Sequence, residues 1–166
     1  MLSEKIFLEM IKISIILTTY NSENKIEEVI DSIYKQKGRD ELFELELLVV
    51  DDCSTDATQR ILIENNIEFQ CSSKNTGGPN YGRNIALSIC SGDYICIADH
   101  DDIWFSNKIT QLLSVVNLAP IISSGYILSD ISLAKEVSRV NNSIDNLGYI
   151  LYKKNETFIS KLTKSK

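Results

Sequence analysis

The chain has 166 residues, 43% of them hydrophobic and 24% charged, enough apolar material for one sizeable core in an ordinary globular domain. A formal net charge of -6 excludes a general polyanion binder, because counterion release from nucleic acid needs a basic surface. Cys53, Cys71, Cys90 and Cys96 show no C-x-x-C spacing, so a structural zinc site or redox motif has no support, and reduced thiols in a cytoplasmic protein are expected.

Residues 1–11 read as an N-terminal extension. Glu4 and Glu9 interrupt its apolar residues and no basic segment precedes a long apolar run, so a signal peptide is not expected. Ile13 to Thr18 reads as a buried strand. Ile26, Val29, Ile30 and Ile33 then recur at helical spacing, with Glu27, Glu28, Asp31 and Lys35 on the opposite face, as in a helix packed on a sheet. Leu45 to Val50 is a second strand ending in Asp51-Asp52, and Ser54-Thr55-Asp56 offers N-cap oxygens for a second helix that stops near Asn65-Asn66.

Ile67 to Cys71 is a short third strand. The Gly77-Gly78-Pro79 turn leads into a third helix over about Asn80 to Cys90, and Gly92-Asp93 turns the chain into a fourth strand, Tyr94 to Ala98, again followed by acids. A fourth helix is expected near Lys108 to Asn117, and a fifth strand from Ile121 to Leu128, broken by Ser123, Ser124 and Gly125. The most apolar late stretch, Leu112 to Leu128, is interrupted by Asn117 and Pro120 and falls short of the roughly 20 residues that cross a bilayer, so no transmembrane segment is expected. Alternation of apolar runs with amphipathic segments predicts an α/β fold, a mostly parallel sheet flanked by helices. Residues 131–166 hold scattered apolar residues, several Asn and Ser and five lysines after Leu151, and read as a weakly ordered or truncated tail. Those lysines suit a solvated end better than an anionic surface, so any membrane association would be peripheral.

In an open parallel sheet, ligands bind outside the carboxyl ends of the strands. Thr18-Thr19-Tyr20-Asn21, Asp51-Asp52 and Asp99-His100-Asp101-Asp102 all reach that edge. Clustered carboxylates repel one another unless hydrogen bonds, a cation or raised pKa values relieve them. Hard oxygen ligands suit Mg²⁺ or Mn²⁺, ions that keep few protein ligands while bridging substrate phosphates. Such an ion would neutralise a departing diphosphate. Taken singly, each acid run reads equally as a solvated loop or a helix cap.

Ile13-Ser14-Ile15-Ile16-Leu17-Thr18-Thr19-Tyr20-Asn21, Leu47 to Thr58, Asn75-Thr76-Gly77-Gly78 with Arg83-Asn84, and Gly92-Asp93-Tyr94-Ile95 followed by Asp99-His100-Asp101-Asp102 form an ordered series. The series resembles family 2 glycosyltransferases, whose Rossmann-like nucleotide-binding fold is called GT-A. The resemblance implies a nucleotide-sugar-binding domain over 12–130, with Thr19 and Tyr20 lining the nucleoside pocket, Asp52 accepting a hydrogen bond from the base, and Arg83 near the base or phosphates. It implies Asp99 and Asp101 as the D-x-D that meets the ribose and the metal, Asp102 as support, and Glu23 as an acidic position after the Tyr-Asn pair. The implied reaction moves a sugar from a nucleotide-diphosphate donor to a glycan or lipid-linked acceptor in polysaccharide or cell-envelope synthesis, in the cytoplasm or at the inner face of the membrane.

Thr18 stands where the family commonly has Pro, and Cys53 where Gly is common, so the loop after Asp52 is expected to take a different backbone angle. His100, flanked by acids, could join the metal, but a neutral histidine facing outward is the expectation, since hard cations prefer oxygen. Inverting members use a later acid as general base; Asp130, Glu136, Asp145 and Glu156 are available, but none sits in a segment like the family's base motif, and the catalytic residues stay unknown. A second reading is a truncated, catalytically incompetent donor-binding or interaction module lacking the acceptor half. A receiver-type phosphoacceptor fits worse, because that design places an acid pair after the first strand, where this chain has Thr-Thr-Tyr-Asn.

Overall fold

The computed structural model describes residues 10–119, 121–124, 126–130, 135–139 and 150–153. Eight strands are found among the described residues: β1 (Ile11–Thr19), β2 (Phe43–Asp51), β3 (Phe69–Cys71), β4 (Tyr94–Asp99), β5 (Ile121–Ser123), β6 (Tyr126–Asp130), β7 (Lys135–Arg139) and β8 (Ile150–Lys153). The helices are α1 (Ile26–Tyr34), α2 (Thr58–Glu64), α3 (Asn80–Ile89) and α4 (Lys108–Ser114). Six strands form one sheet in the order β3-β2-β1-β4-β8-β5. The first four are parallel; β8 runs antiparallel to both β4 and β5. The expected mostly parallel α/β sheet is therefore present.

β1 is the central parallel strand, and its Ile-rich run is buried from Ile13 to Thr19. Side chains alternate across the pleat, so Ile13, Ile15 and Leu17 enter one apolar cluster while Ile16 enters another. The first cluster takes Ile26, Val29 and Ile33 of α1, Leu62 of α2 and Ile109 and Leu112 of α4; the second takes Ala86 and Leu87 of α3. Helices thus cover both faces, which is why β1 reads as a continuous apolar run rather than an alternating one. Burying each such Ile or Leu contributes about 1.5–3 kcal/mol relative to leaving it exposed.

Gly82 lets α3 lie close on the carboxyl ends of β1 and β2. A Cβ there would come within 2.9 Å of Thr18 Cγ2 and 3.2 Å of Val50 Cγ1. Because β1, β2 and β3 extend the sheet one way and β4 the other, the order reverses between β1 and β4, and a crevice opens at their carboxyl ends.

Several expectations are corrected. The anticipated fifth strand over 121–128 is two strands in two sheets: β5 joins the main sheet, while β6 pairs with β7 in a separate antiparallel pair. The chain changes sheet between Ser123 and Tyr126; Gly125 lies outside the described residues. The tail was given no strand, yet β8 lies between β4 and β5 in the main sheet and β7 pairs with β6. Short antiparallel strands with mixed polar residues leave little periodicity to read. Helix α2 begins at Thr58, without a side-chain cap from Ala57, although Asp56 Oδ1 accepts the Thr58 N–H at 2.9 Å.

Candidate functional site

Strand register assembles the site. Thr18 faces Asp99 across the β1–β4 ladder, and Thr19 faces Asp51 across β1–β2, so the residues just beyond these pairs emerge at one edge. There a cleft of about 480 Å³ is lined by Thr18, Thr19, Tyr20, Asp52, Asn75, Gly77, Gly78, Pro79, Arg83, Asp99, His100 and Asp101. Of the residues nominated from sequence, Thr19, Tyr20, Asp52, Arg83, Asp99 and Asp101 meet in it. Glu23 does not. Its carboxylate accepts the Ala57 N–H at 2.9 Å and its own N–H donates to Asp56, which ties the loop after β1 to the start of α2.

Asp52 is held by β3 and the loop after it. Ser72 Oγ donates to Oδ1 at 2.7 Å, the Thr76 N–H donates to Oδ2 at 2.9 Å, and Thr76 Oγ1 reaches both oxygens. Partial burial works against ionisation, but these hydrogen bonds and one from the Gly77 N–H outweigh it and hold the carboxyl below its usual range. The result is a fixed anionic acceptor at the cleft wall. Asn75 Oδ1 accepts the Gly77 N–H, closing a short turn in which Gly77 takes φ +81°, where a side chain would be strained.

Arg83 Nη2 pairs with Asp99 Oδ1 at 2.5 Å across the cleft. Asp99 O accepts the Asp102 N–H at 3.3 Å, so residues 99–102 form a tight turn at the end of β4. Asp101 is exposed on that turn and accepts no hydrogen bond from a described residue. Asp102 lies outside the lining; burial, then its neighbours Asp101 and Asp99, push its carboxyl upward. From the core side, Lys108 is buried with its Nζ 4.4 Å from the Trp104 ring centroid, and burial brings its pKa down to about 8 despite Cys96, Asp102 and Asp99 nearby.

Two polar atoms at the cleft are buried without a hydrogen-bond partner among the described residues: Thr19 Oγ1 and Arg83 Nε. Buried polar groups are nearly always satisfied, so both are open to a partner from solvent or a bound molecule. Among the described residues no set of three or more His, Cys, Asp or Glu side chains converges to hold a metal. The donors available, Asp99 and Asp101, fit an ion that takes one or two carboxylates and completes its shell with ligand phosphates and water.

His100 is not turned outward as expected. It is half-buried and its Nδ1 lies 2.6 Å from Ser22 Oγ. Cys53 keeps the left-handed conformation, at φ +62°, that a glycine would take, so the expected change of backbone angle does not occur. Sequence reasoning quoted the 75–78 segment without nominating it and missed Ser72 and Thr76; a Gly-rich turn after a parallel strand was the available signal. Ser22 gave none, because its partner is 78 residues away.

A model of Glycosyl transferase family 2 matches residues 14–156. The chain is similar, at 41% identity over 105 residues, to the poly(ribitol-phosphate) beta-N-acetylglucosaminyltransferase TarS of Staphylococcus aureus, covering 61% of this chain and 18% of that one. A solved S. aureus TarS structure in complex with UDP-GlcNAc is 32% identical with a TM-score of 0.61, covering 68% of this chain and 33% of that one. Glucosyl-3-phosphoglycerate synthase of Mycobacterium tuberculosis, solved with Mn²⁺, UDP and phosphoglyceric acid, is 27% identical with a TM-score of 0.54, covering 68% and 42%. The fold is the GT-A fold that the motifs implied. The chain spans less than half the length of each of these proteins. Among the described residues no helix is long and apolar enough to cross a membrane.

Proposed function

Because this chain belongs to glycosyl transferase family 2, we propose that its cleft binds a nucleoside-diphosphate sugar and serves transfer of the sugar to a hydroxyl acceptor. One observation carries the reading: a single sheet edge gathers an aromatic ring, an ionised hydrogen-bond acceptor, a guanidinium and two carboxylates around one cleft. Tyr20, 37% exposed, offers a face for the base. Asp52, already fixed by Ser72 and Thr76, accepts an N–H from the base, and the buried Thr19 hydroxyl donates to the nucleoside.

Asp99 shares one oxygen with Arg83, which leaves Asp101 as the more open carboxylate for a divalent ion and Arg83 Nε free to meet a phosphate oxygen. Mg²⁺ or Mn²⁺ bound there would neutralise charge on the departing diphosphate. The ligands named for the two solved relatives, UDP-GlcNAc in one and Mn²⁺ with UDP in the other, support this assignment. We nominate no catalytic base. Asp130 and Glu136 lie in the β6–β7 pair, and Asp145 and Glu156 lie outside the described residues. A glycan or lipid-linked acceptor and a role in cell-envelope polysaccharide synthesis, at the cytoplasmic face of the membrane with at most peripheral attachment, complete the proposal; the polymer named for TarS supports the acceptor class.

The test is calorimetric titration of the chain with UDP, UDP-sugars, GDP and dTDP, with and without Mn²⁺. Metal-dependent binding that disappears in Asp101→Ala is the expected result. If no nucleotide binds under either condition, the donor-site reading fails.

A further inference from the structure

We propose that His100 is a positioning residue, which ties the acid turn at the end of β4 to the loop that follows β1 and so holds Asp99 and Asp101 in register with Tyr20. The inference rests on the donor site proposed above and adds a residue to it. The β1–β4 ladder ends at the pair Thr18–Asp99. Beyond it the two chains leave the sheet, and among the described residues the first bond joining them again is His100 Nδ1 to Ser22 Oγ, at 2.6 Å.

Ser22 is a firm anchor. It is 5% exposed, its N–H donates to Thr58 Oγ1 at 2.7 Å, and its carbonyl accepts the Lys25 and Ile26 N–H groups, each at 2.9 Å, that open α1. Its hydroxyl also lies 3.1 Å from the Tyr20 carbonyl. A serine hydroxyl has one hydrogen. Donated to Tyr20 O, it leaves Ser22 Oγ as an acceptor, so His100 Nδ1 carries the proton and donates. The ring thereby links the residue between the two site carboxylates to the loop carrying Tyr20, and through Thr58 to α2. Asp101, whose carboxylate accepts no hydrogen bond from a described residue, depends on this turn for its place.

The readout is the gain in UDP affinity that Mn²⁺ confers, measured by calorimetry on the full chain beside the affinity for uridine, which has no phosphate. His100→Ala is expected to lower the Mn²⁺-dependent gain about tenfold, a usual loss when a group orienting a metal ligand is removed, while uridine affinity stays unchanged. Ser22→Ala should also lower the Mn²⁺-dependent gain, and the double variant should lose no more of that gain than the larger single loss. His100→Asn, whose amide N–H falls near the position of Nδ1–H, should retain the gain, and His100→Gln should not. Retention by Gln with loss in Asn would overturn the proposal by pointing to Nε2 as the working atom, as would an undiminished gain in His100→Ala. If the alanine variants fail to fold, the contrast between Asn and Gln decides in the same way. A wild-type chain that binds UDP but gains nothing from Mn²⁺ would overturn this proposal together with the metal role, and one that binds no nucleotide would overturn the donor site itself.

Discussion

At the amino ends of the parallel strands, Glu46 of β2 accepts hydrogen bonds from Ser14 Oγ, from the Ser91 N–H at 2.8 Å and from Ser91 Oγ at 2.5 Å, and pairs with Lys12 at 3.1 Å. At the carboxyl ends, among the described residues, Asp101 has no such partner and the Asp99 carboxylate pairs with Arg83. The same side chain type thus does two jobs on one sheet. Glu46 joins β1, β2 and the approach to β4, and burial, which alone would raise its pKa, is outweighed by hydrogen bonds from Ser14, Ser91 and Lys12, bringing it from 4.5 to about 2. Asp101 ties no described element to another, which leaves its oxygens available to a ligand. A carboxylate surrounded by donors stabilises the fold, whereas an exposed one without them keeps its oxygens open to solvent or a ligand.

This contrast can be broken at either end. The largest effect is expected from Asp101→Ala, which should weaken Mn²⁺-dependent UDP binding by about 100-fold, roughly two tenfold steps of affinity, while the melting temperature in the absence of metal stays within 1–2 °C or so of wild type. A large fall in melting temperature would show that this carboxylate also supports the fold. Glu46→Gln should do the reverse, lowering unfolding free energy at pH 7 by on the order of 2 kcal/mol with nucleotide affinity intact. The sign follows from a depressed carboxylate: its contribution is complete above about 4.5 and is lost as pH falls toward about 2. Urea denaturation at pH 7, 4 and 3 should therefore find the two proteins converging as the pH drops.

Smaller effects sharpen the same comparison. Thr19→Val replaces a buried, unpartnered hydroxyl with a methyl of similar size; stability should hold or rise slightly, and UDP affinity should fall about fivefold, the net worth of roughly one hydrogen bond. Unchanged affinity would remove Thr19 from the nucleoside contacts. Cys53→Gly relieves a left-handed non-glycine residue at φ +62° and should raise stability by about 0.5 kcal/mol, after the entropy cost of glycine is set against the strain. Differential scanning calorimetry resolves a shift of that size.

How much of this was legible follows from the range of each signal. The Ile13–Leu17 run, the i, i+3, i+4, i+7 spacing of Ile26, Val29, Ile30 and Ile33, and the acids closing β2 and β4 are all local patterns, and the structure returns them with no end moved by more than two residues. The meeting of Thr19, Tyr20, Asp52, Arg83, Asp99 and Asp101 was also legible, because parallel strands carry their following loops to one edge. Glu23 misled because its neighbours in sequence are site residues, while its carboxylate lies against the first turn of α2.

What the sequence alone determined, then, is the order of strands and helices from β1 through α4 and the edge at which the polar groups emerge, since periodicity and composition act within a few residues. Only the tertiary structure decided which of those groups face the cleft and which are taken up by other loops. Asp52 is held by Ser72 and Thr76, His100 is turned to Ser22, and β8 enters the sheet beside β4, through contacts 20, 24, 78 and about 57 residues apart respectively. Such pairings depend on how the whole chain packs, and no window of sequence short enough to carry a periodic signal contains both partners.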